Sequence, residues 1–119
     1  MHYIAAADAA AAYRLAIEKG IAGEDYLLAD DEPTTQGAFV RLVAREMGAP
    51  EPVSLAEETL VPVMGDWAVE AYTTCYKTDN TKAKQHLGWR PRFRTIAEGV
   101  PIVVREYKRS RLAAGVPQQ

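Results

Sequence analysis

The chain has 119 residues, of which 48% are apolar and 25% charged, with a net charge of −2. That is enough for one globular domain with a real core, residues 1–119, and too little for a dinucleotide enzyme with two lobes. One cysteine, Cys75, excludes an internal disulfide framework and fits a reducing cytosol; no run approaches a membrane span, and Met1 is followed by no signal-peptide pattern, so a cytoplasmic protein is expected.

The net charge hides an uneven distribution. Residues 1–70 hold 4 Lys/Arg against 13 Asp/Glu, a charge of −9, whereas residues 71–119 hold 10 against 3, a charge of +7. The halves attract one another, within a fold or between chains. The basic residues Arg90, Arg92, Arg94, Arg105, Lys108, Arg109 and Arg111 read as a solvated helix face and a basic tail, not a nucleic-acid surface.

In chain order, Asp8 reads as the N-cap of a helix running to about Lys19, with Ala12, Tyr13, Ala16 and Ile17 on one face and Gly20 as its stop. Residues 23–29 read as a turn and a short buried strand over 26–29. The acids Asp30, Asp31 and Glu32 then precede Pro33; without a glycine-hinged ligand pattern they read as a solvated loop and not as a metal site. Thr34 or Thr35 caps a second helix, in which Phe39, Leu42, Val43 and Met47 recur at helical spacing before Gly48. Ser54 and Glu57 have capping-box spacing with Val53 as a hydrophobic staple, so a third helix is expected there, with Pro62 and Gly65 interrupting it and residues 66–70 a separate turn. Residues 71–77, with Tyr72, Thr73, Thr74, Cys75 and Tyr76, are strand formers expected to pair in parallel with 26–29.

Residues 77–93 carry the most local information. Asp79 can accept from the free N–H groups of Thr81 and Lys82 and so start a helix, and Gly88 can take the left-handed conformation that ends it, with Trp89 folding back over the last turn. Pro91 forces an extended exit. Thr95 and Glu98 offer another capping box for a final helix to about Leu112, and residues 113–119 read as a flexible tail. The fold expected from these patterns is α/β: four or five helices around a minimal parallel sheet.

The residues Asp79, Lys82, Leu87, Gly88, Trp89 and Pro91 lie at the spacing of the D-x-[ST]-K-A-[KR]-x-x-L-G-W-x-P segment near the C-terminus of the NAD-dependent epimerase/dehydratase family, the extended short-chain dehydrogenases/reductases, which this stretch closely resembles. Residues 23–29 are similar to that family's G-E-x-Y-N strand, with Leu27 in place of the asparagine. Residues 8–13 align with the helix after its V-H-V-D-D-V-A strand, with Ala5 and Ala7 where the family has His and Asp. The resemblance implies a substrate-side lobe of small size and, through a partner lobe, NAD(P) and a sugar or small carbonyl substrate.

The family's chemistry is missing from the residues themselves. No glycine-rich turn follows a strand, since Gly20 and Gly23 follow a helix. The family's catalytic tyrosine has a lysine four residues on, and none of Tyr3, Tyr13, Tyr26, Tyr72, Tyr76 and Tyr107 does. His2 and His86 lack a nucleophile with an orienting acid, and Cys75 lacks a CxxC partner. No catalytic residue, cofactor-binding residue or metal ligand is therefore assigned, and none of these patterns points to nucleic acid or membrane. The candidates for a bound small ligand are Trp67, Tyr72 and Tyr76, the alternative being that all three are core. Two functions compete: a small binding or self-assembly module, expected as a homodimer through an alanine-rich face at residues 5–16 with Tyr3 and Ile4; or one part of a divided enzyme that meets a nucleotide-binding partner chain.

Overall fold

The computed structural model describes residues 2–74 and 76–114, and these form six helices in the order α1 (Ala6–Lys19), α2 (Gln36–Met47), α3 (Glu57–Met64), α4 (Asp66–Thr73), α5 (Thr81–Leu87) and α6 (Ile96–Ala113). There is no strand among the described residues, and the expected α/β fold is corrected to an all-helical one. Residues 26–29 belong to no helix or strand; the neighbouring Asp30 N–H donates to the Tyr3 carbonyl at 2.8 Å. The expected partner strand is lost because Ala71, Tyr72 and Thr73 continue α4, whose end is closed by the Thr74 N–H on the Glu70 carbonyl at 2.8 Å. Two strands alone are marginal in water, so local helix closure outweighs the β preference of Tyr72 and Thr73. Cys75 and the expected tail beyond Ala114 lie outside the described residues.

The helices associate in pairs: α1 with α5, α2 with α6, and α3 with α4. The first pair holds the core. Ala12 of α1 meets Ala83 and Leu87 of α5 and the adjoining Trp89, all 1% exposed or less, with Ile4, Leu15, Ala16, Tyr26 and Leu28 packed around them. Two facing alanines let the backbones approach closely, and the gap is filled by the indole and the Leu87 side chain. Tyr13 and Ile17, expected on the inner face of α1, are instead exposed, because the helix is rolled so that Ala12, Leu15 and Ala16 face α5.

Local end signals account for most helix limits. Thr35 Oγ1 accepts from the Ala38 N–H at 3.1 Å, Thr95 Oγ1 from the Glu98 N–H at 3.3 Å, and the Glu98 carboxylate in turn accepts from the Arg94 N–H at 2.7 Å. Gly48 at φ 75° and Gly88 at φ 66° close α2 and α5 in the left-handed conformation. The box expected at Ser54 does not form: α3 starts after Ala56 with no side-chain cap, and Val53 is exposed, with Glu57 and Glu58 meeting the positive end of the helix instead. Gly65, at φ 81°, turns α3 into α4.

The principal extents are 44 × 40 × 21 Å. The Cα radius of gyration is 17.3 Å, against about 13.5 Å for a compact chain of this length. The molecule is a plate one or two helices thick, and a plate leaves apolar side chains at its faces.

Candidate functional site

Two acids, Asp8 expected as an N-cap and Asp30 expected in a solvated loop, are instead structural anchors. Asp8 is not the N-cap of α1, which begins after Ala5; it sits in the first turn, buried, and its carboxylate accepts from the Arg92 N–H at 2.9 Å and the Phe93 N–H at 3.1 Å. Its backbone carbonyl accepts from Trp89 Nε1 at 3.0 Å. Asp8 thus caps the segment after α5 and fixes where Phe93 enters the space between α2 and α6. There Phe93 needs a glycine opposite it: a Cβ on Gly99 would lie 3.3 Å from the Phe93 Cβ.

Asp30 is likewise buried, with His2 Nδ1 at 3.1 Å from its Oδ1. Burial raises the Asp30 pKa, although the bonds from His2 and from the Tyr3 backbone oppose the rise. Its neighbour Asp31 turns the other way, to Lys84 at 2.5 Å and to the Asn80 Nδ2 at 2.9 Å, with Arg94 at 3.5 Å; the Lys84 bond, with the others behind it, holds the Asp31 carboxyl below the usual range. Asn80, buried, also donates to the Ala29 carbonyl at 2.9 Å. These bonds clamp residues 29–31 to α5 and to the start of α6.

The result is an extended N-terminal strap, residues 2–5, held above α2. The Asp30 N–H and carboxylate fix its backbone, the Tyr3 hydroxyl donates to Gln36 Oε1 at 2.5 Å, and the Tyr3 ring stacks on Phe39 with centroids 3.9 Å apart. Between the strap, α2 and α6 lies a groove of about 580 Å³ whose walls include Tyr3, Phe39, Val43, Phe93, Val104 and Tyr107. Asp30 is the one charged side chain among the described residues lining it. Lys108 Nζ, donating to the Glu46 carbonyl at 2.8 Å, holds α6 against the last turn of α2.

Comparison with known protein families, curated proteins and solved structures finds no match. The chemistry of the groove is therefore read from its own side chains. It is an apolar slot of small-ligand size with one acid at its wall. The His2–Asp30 pair has no nucleophile hydrogen-bonded to it among the described residues.

The residues expected from sequence to bind a ligand are elsewhere. Trp67 and Tyr72 lie on α4 and Tyr76 follows it; they are 82%, 55% and 71% exposed, none lines the groove, and none is core. The 77–93 motif does most of what its residues imply locally, but the N-cap of α5 is Asn80, without a side-chain cap bond, and Asp79 sits one position before it and takes the Thr81 N–H alone. Asp79 accepts from the Thr81 N–H at 2.8 Å, Lys82 pairs with Glu24, Leu87, Trp89 and Pro91 are buried, and Gly88 closes the helix. Tyr3 and Ile4, expected to be exposed on an association face, are half-buried and line the groove instead. Sequence reasoning missed His2, Asp30 and Asn80. The only local signal was the polarity of residues 30–32 directly after an apolar run, since the partners of Asp30 and Asn80 lie about 30 to 50 positions away.

Proposed function

We propose that this chain is a non-catalytic binding module, a substrate-side lobe of epimerase/dehydratase type working without a cofactor site of its own, and that the groove between α2 and α6 is its binding surface. The observation that carries this reading is the groove itself: about 580 Å³, walled by aromatic and aliphatic side chains, and propped open by the strap that His2, Asp30, Tyr3 and Gln36 hold in place. A slot of this size takes the apolar part of a ligand or a few side chains of a partner. Binding is tested with 1-anilinonaphthalene-8-sulfonate, whose fluorescence should rise saturably on the wild-type chain and at least tenfold more weakly on Val103→Glu, which places a charge on the groove wall. NADH added to the isolated chain should leave its fluorescence unchanged. Dye binding unaffected by Val103→Glu would overturn the reading.

A second reading has its own support in the exposed Tyr13, Ile17 and Leu27, apolar side chains on a plate 21 Å thick. Under it the chain is one part of a divided NAD-dependent epimerase/dehydratase, acting on a sugar or small carbonyl compound, and a separate nucleotide-binding chain covers that surface. A partner carrying the glycine-rich turn and the Tyr/Lys pair would then bind this chain with a 1:1 stoichiometry, and a Tyr13→Glu, Ile17→Glu double variant would abolish the complex.

A further inference from the structure

We propose that the chain carries a second binding site, a charged cleft on the other face of α2 that takes a small zwitterion of amino-acid or short-peptide type. It shares no residue with the groove, whose walls take Phe39, Val43 and Met47 from that helix. The cleft encloses about 500 Å³ between Ala38, Arg41, Leu42 and Arg45 of α2 and Ala49 and Glu51 of the chain that follows.

The sequence builds both walls. Arg41 and Arg45 are one helical turn apart, so their side chains rise from the same face. Arg41 folds back along the helix against the bare backbone of Gly37, where a Cβ would lie 3.2 Å from Arg41 Nη1. Among the described residues Arg41 pairs with no carboxylate, and Arg45 has only its neighbour Glu46, at 3.6 Å. Like charges at this spacing repel, and an anion held between them relieves the repulsion. The opposite wall comes from the end of α2. Gly48 at φ 75° closes the helix, the Ala49 N–H donates to the Ala44 carbonyl at 2.9 Å, and Ala49 and Glu51 are brought to the cleft. Glu51 stands between Pro50 and Pro52, which fix their own φ and hold the residue before each extended, so the acid is presented on a stiff piece of chain.

Glu51 and the two arginines thus face one cleft, yet Glu51 forms no ion pair among the described residues. Opposite charges held apart across a space select the ligand. A carboxylate suits the guanidinium pair, an ammonium suits Glu51, and Ala38, Leu42 and Ala49 leave an apolar floor for a small side chain. A simple anion is repelled by Glu51 and a simple cation by the arginines, whereas a molecule with both charges satisfies both walls.

An NMR titration of the ¹⁵N-labelled chain tests the site, with L-alanine and L-alanyl-L-alanine as probes and propionate and propylamine as single-charge controls. A zwitterion should shift the amides of Ala38, Arg41, Arg45, Ala49 and Glu51 saturably, and the tighter of the two probes gives the length of the ligand. Each control should bind roughly tenfold more weakly. Arg41→Gln and Glu51→Gln, both at exposed positions, should keep the helical circular dichroism and each weaken the zwitterion about tenfold. Val103→Glu, which spoils the groove, should leave this affinity unchanged, so the two sites stand or fall separately. No saturable shift with either zwitterion, a control that binds as tightly as they do, or an affinity unmoved by Arg41→Gln and Glu51→Gln would overturn the site.

Discussion

Asp8 and Trp89 are held together at 3.0 Å, backbone carbonyl to indole N–H, across 81 positions of sequence. The same residue's carboxylate takes the Arg92 and Phe93 N–H groups, so one buried acid joins α1 to the segment that enters α6. Asp8→Ala removes two charge-assisted bonds and leaves two partly buried N–H donors unpaired, a loss of about 3 kcal/mol. Urea denaturation checks this, and Asp8→Asn should recover only part, since an amide offers one acceptor oxygen where the carboxylate offers two.

Asn80→Ala should be nearly as harmful as a core truncation of modest size. It strips the amide donors from the Ala29 carbonyl and the Asp31 carboxylate in a buried position, on the order of 2 kcal/mol. Hydrogen exchange should show residues 29–31 opening before α1 does.

Gly88 and Asp79 test the ends of α5 separately. Gly88→Val puts a β-branched residue at φ 66° and should cost roughly 1 kcal/mol or more. Asp79→Ala removes the 2.8 Å bond to the Thr81 N–H at an exposed position and should cost less than Gly88→Val. Both appear as shifts in the urea midpoint with unchanged slope.

How far the fold was legible follows from the range of the forces involved. Thr35, Thr95, Gly48 and Gly88 act within a helical turn, so the ends they set could be read directly from spacing. Residues 71–73 mislead because tyrosine and threonine favour strands only when a partner strand is present, and a helix already running through Asp66 continues through them at no extra nucleation cost. Asp8 misleads for a related reason: an acid before an alanine run is the usual look of an N-cap, and nothing nearby reveals that its partners are Arg92 and Phe93. The groove was invisible from the chain alone because its walls come from the strap, α2 and α6, which meet only through long-range contacts, while exposed aromatics on α4 stood out by composition.

The two neighbouring acids give opposite pH dependences. The Asp31 carboxyl is held low by Lys84, so its contribution is present above the unfolded-state value of about 3.9 and disappears as pH falls through the folded value. Asp30 is held high by burial, so the folded chain takes up a proton there before the unfolded chain does, and stability rises as pH falls through that raised value. Asp31→Asn should therefore flatten the acid-side loss of stability, and Asp30→Asn should steepen it. Thermal unfolding scanned from about pH 3 to about pH 6 measures both, and two parallel profiles would contradict the assignment.

The groove is tested most directly by an NMR titration of the ¹⁵N-labelled chain with 1-anilinonaphthalene-8-sulfonate. The shifts should fall on the amides of Tyr3, Asp30, Phe39, Val43, Val103 and Tyr107 and saturate together as one site. Shifts confined to α4 and Tyr76, with the strap, α2 and α6 unmoved, would contradict the account.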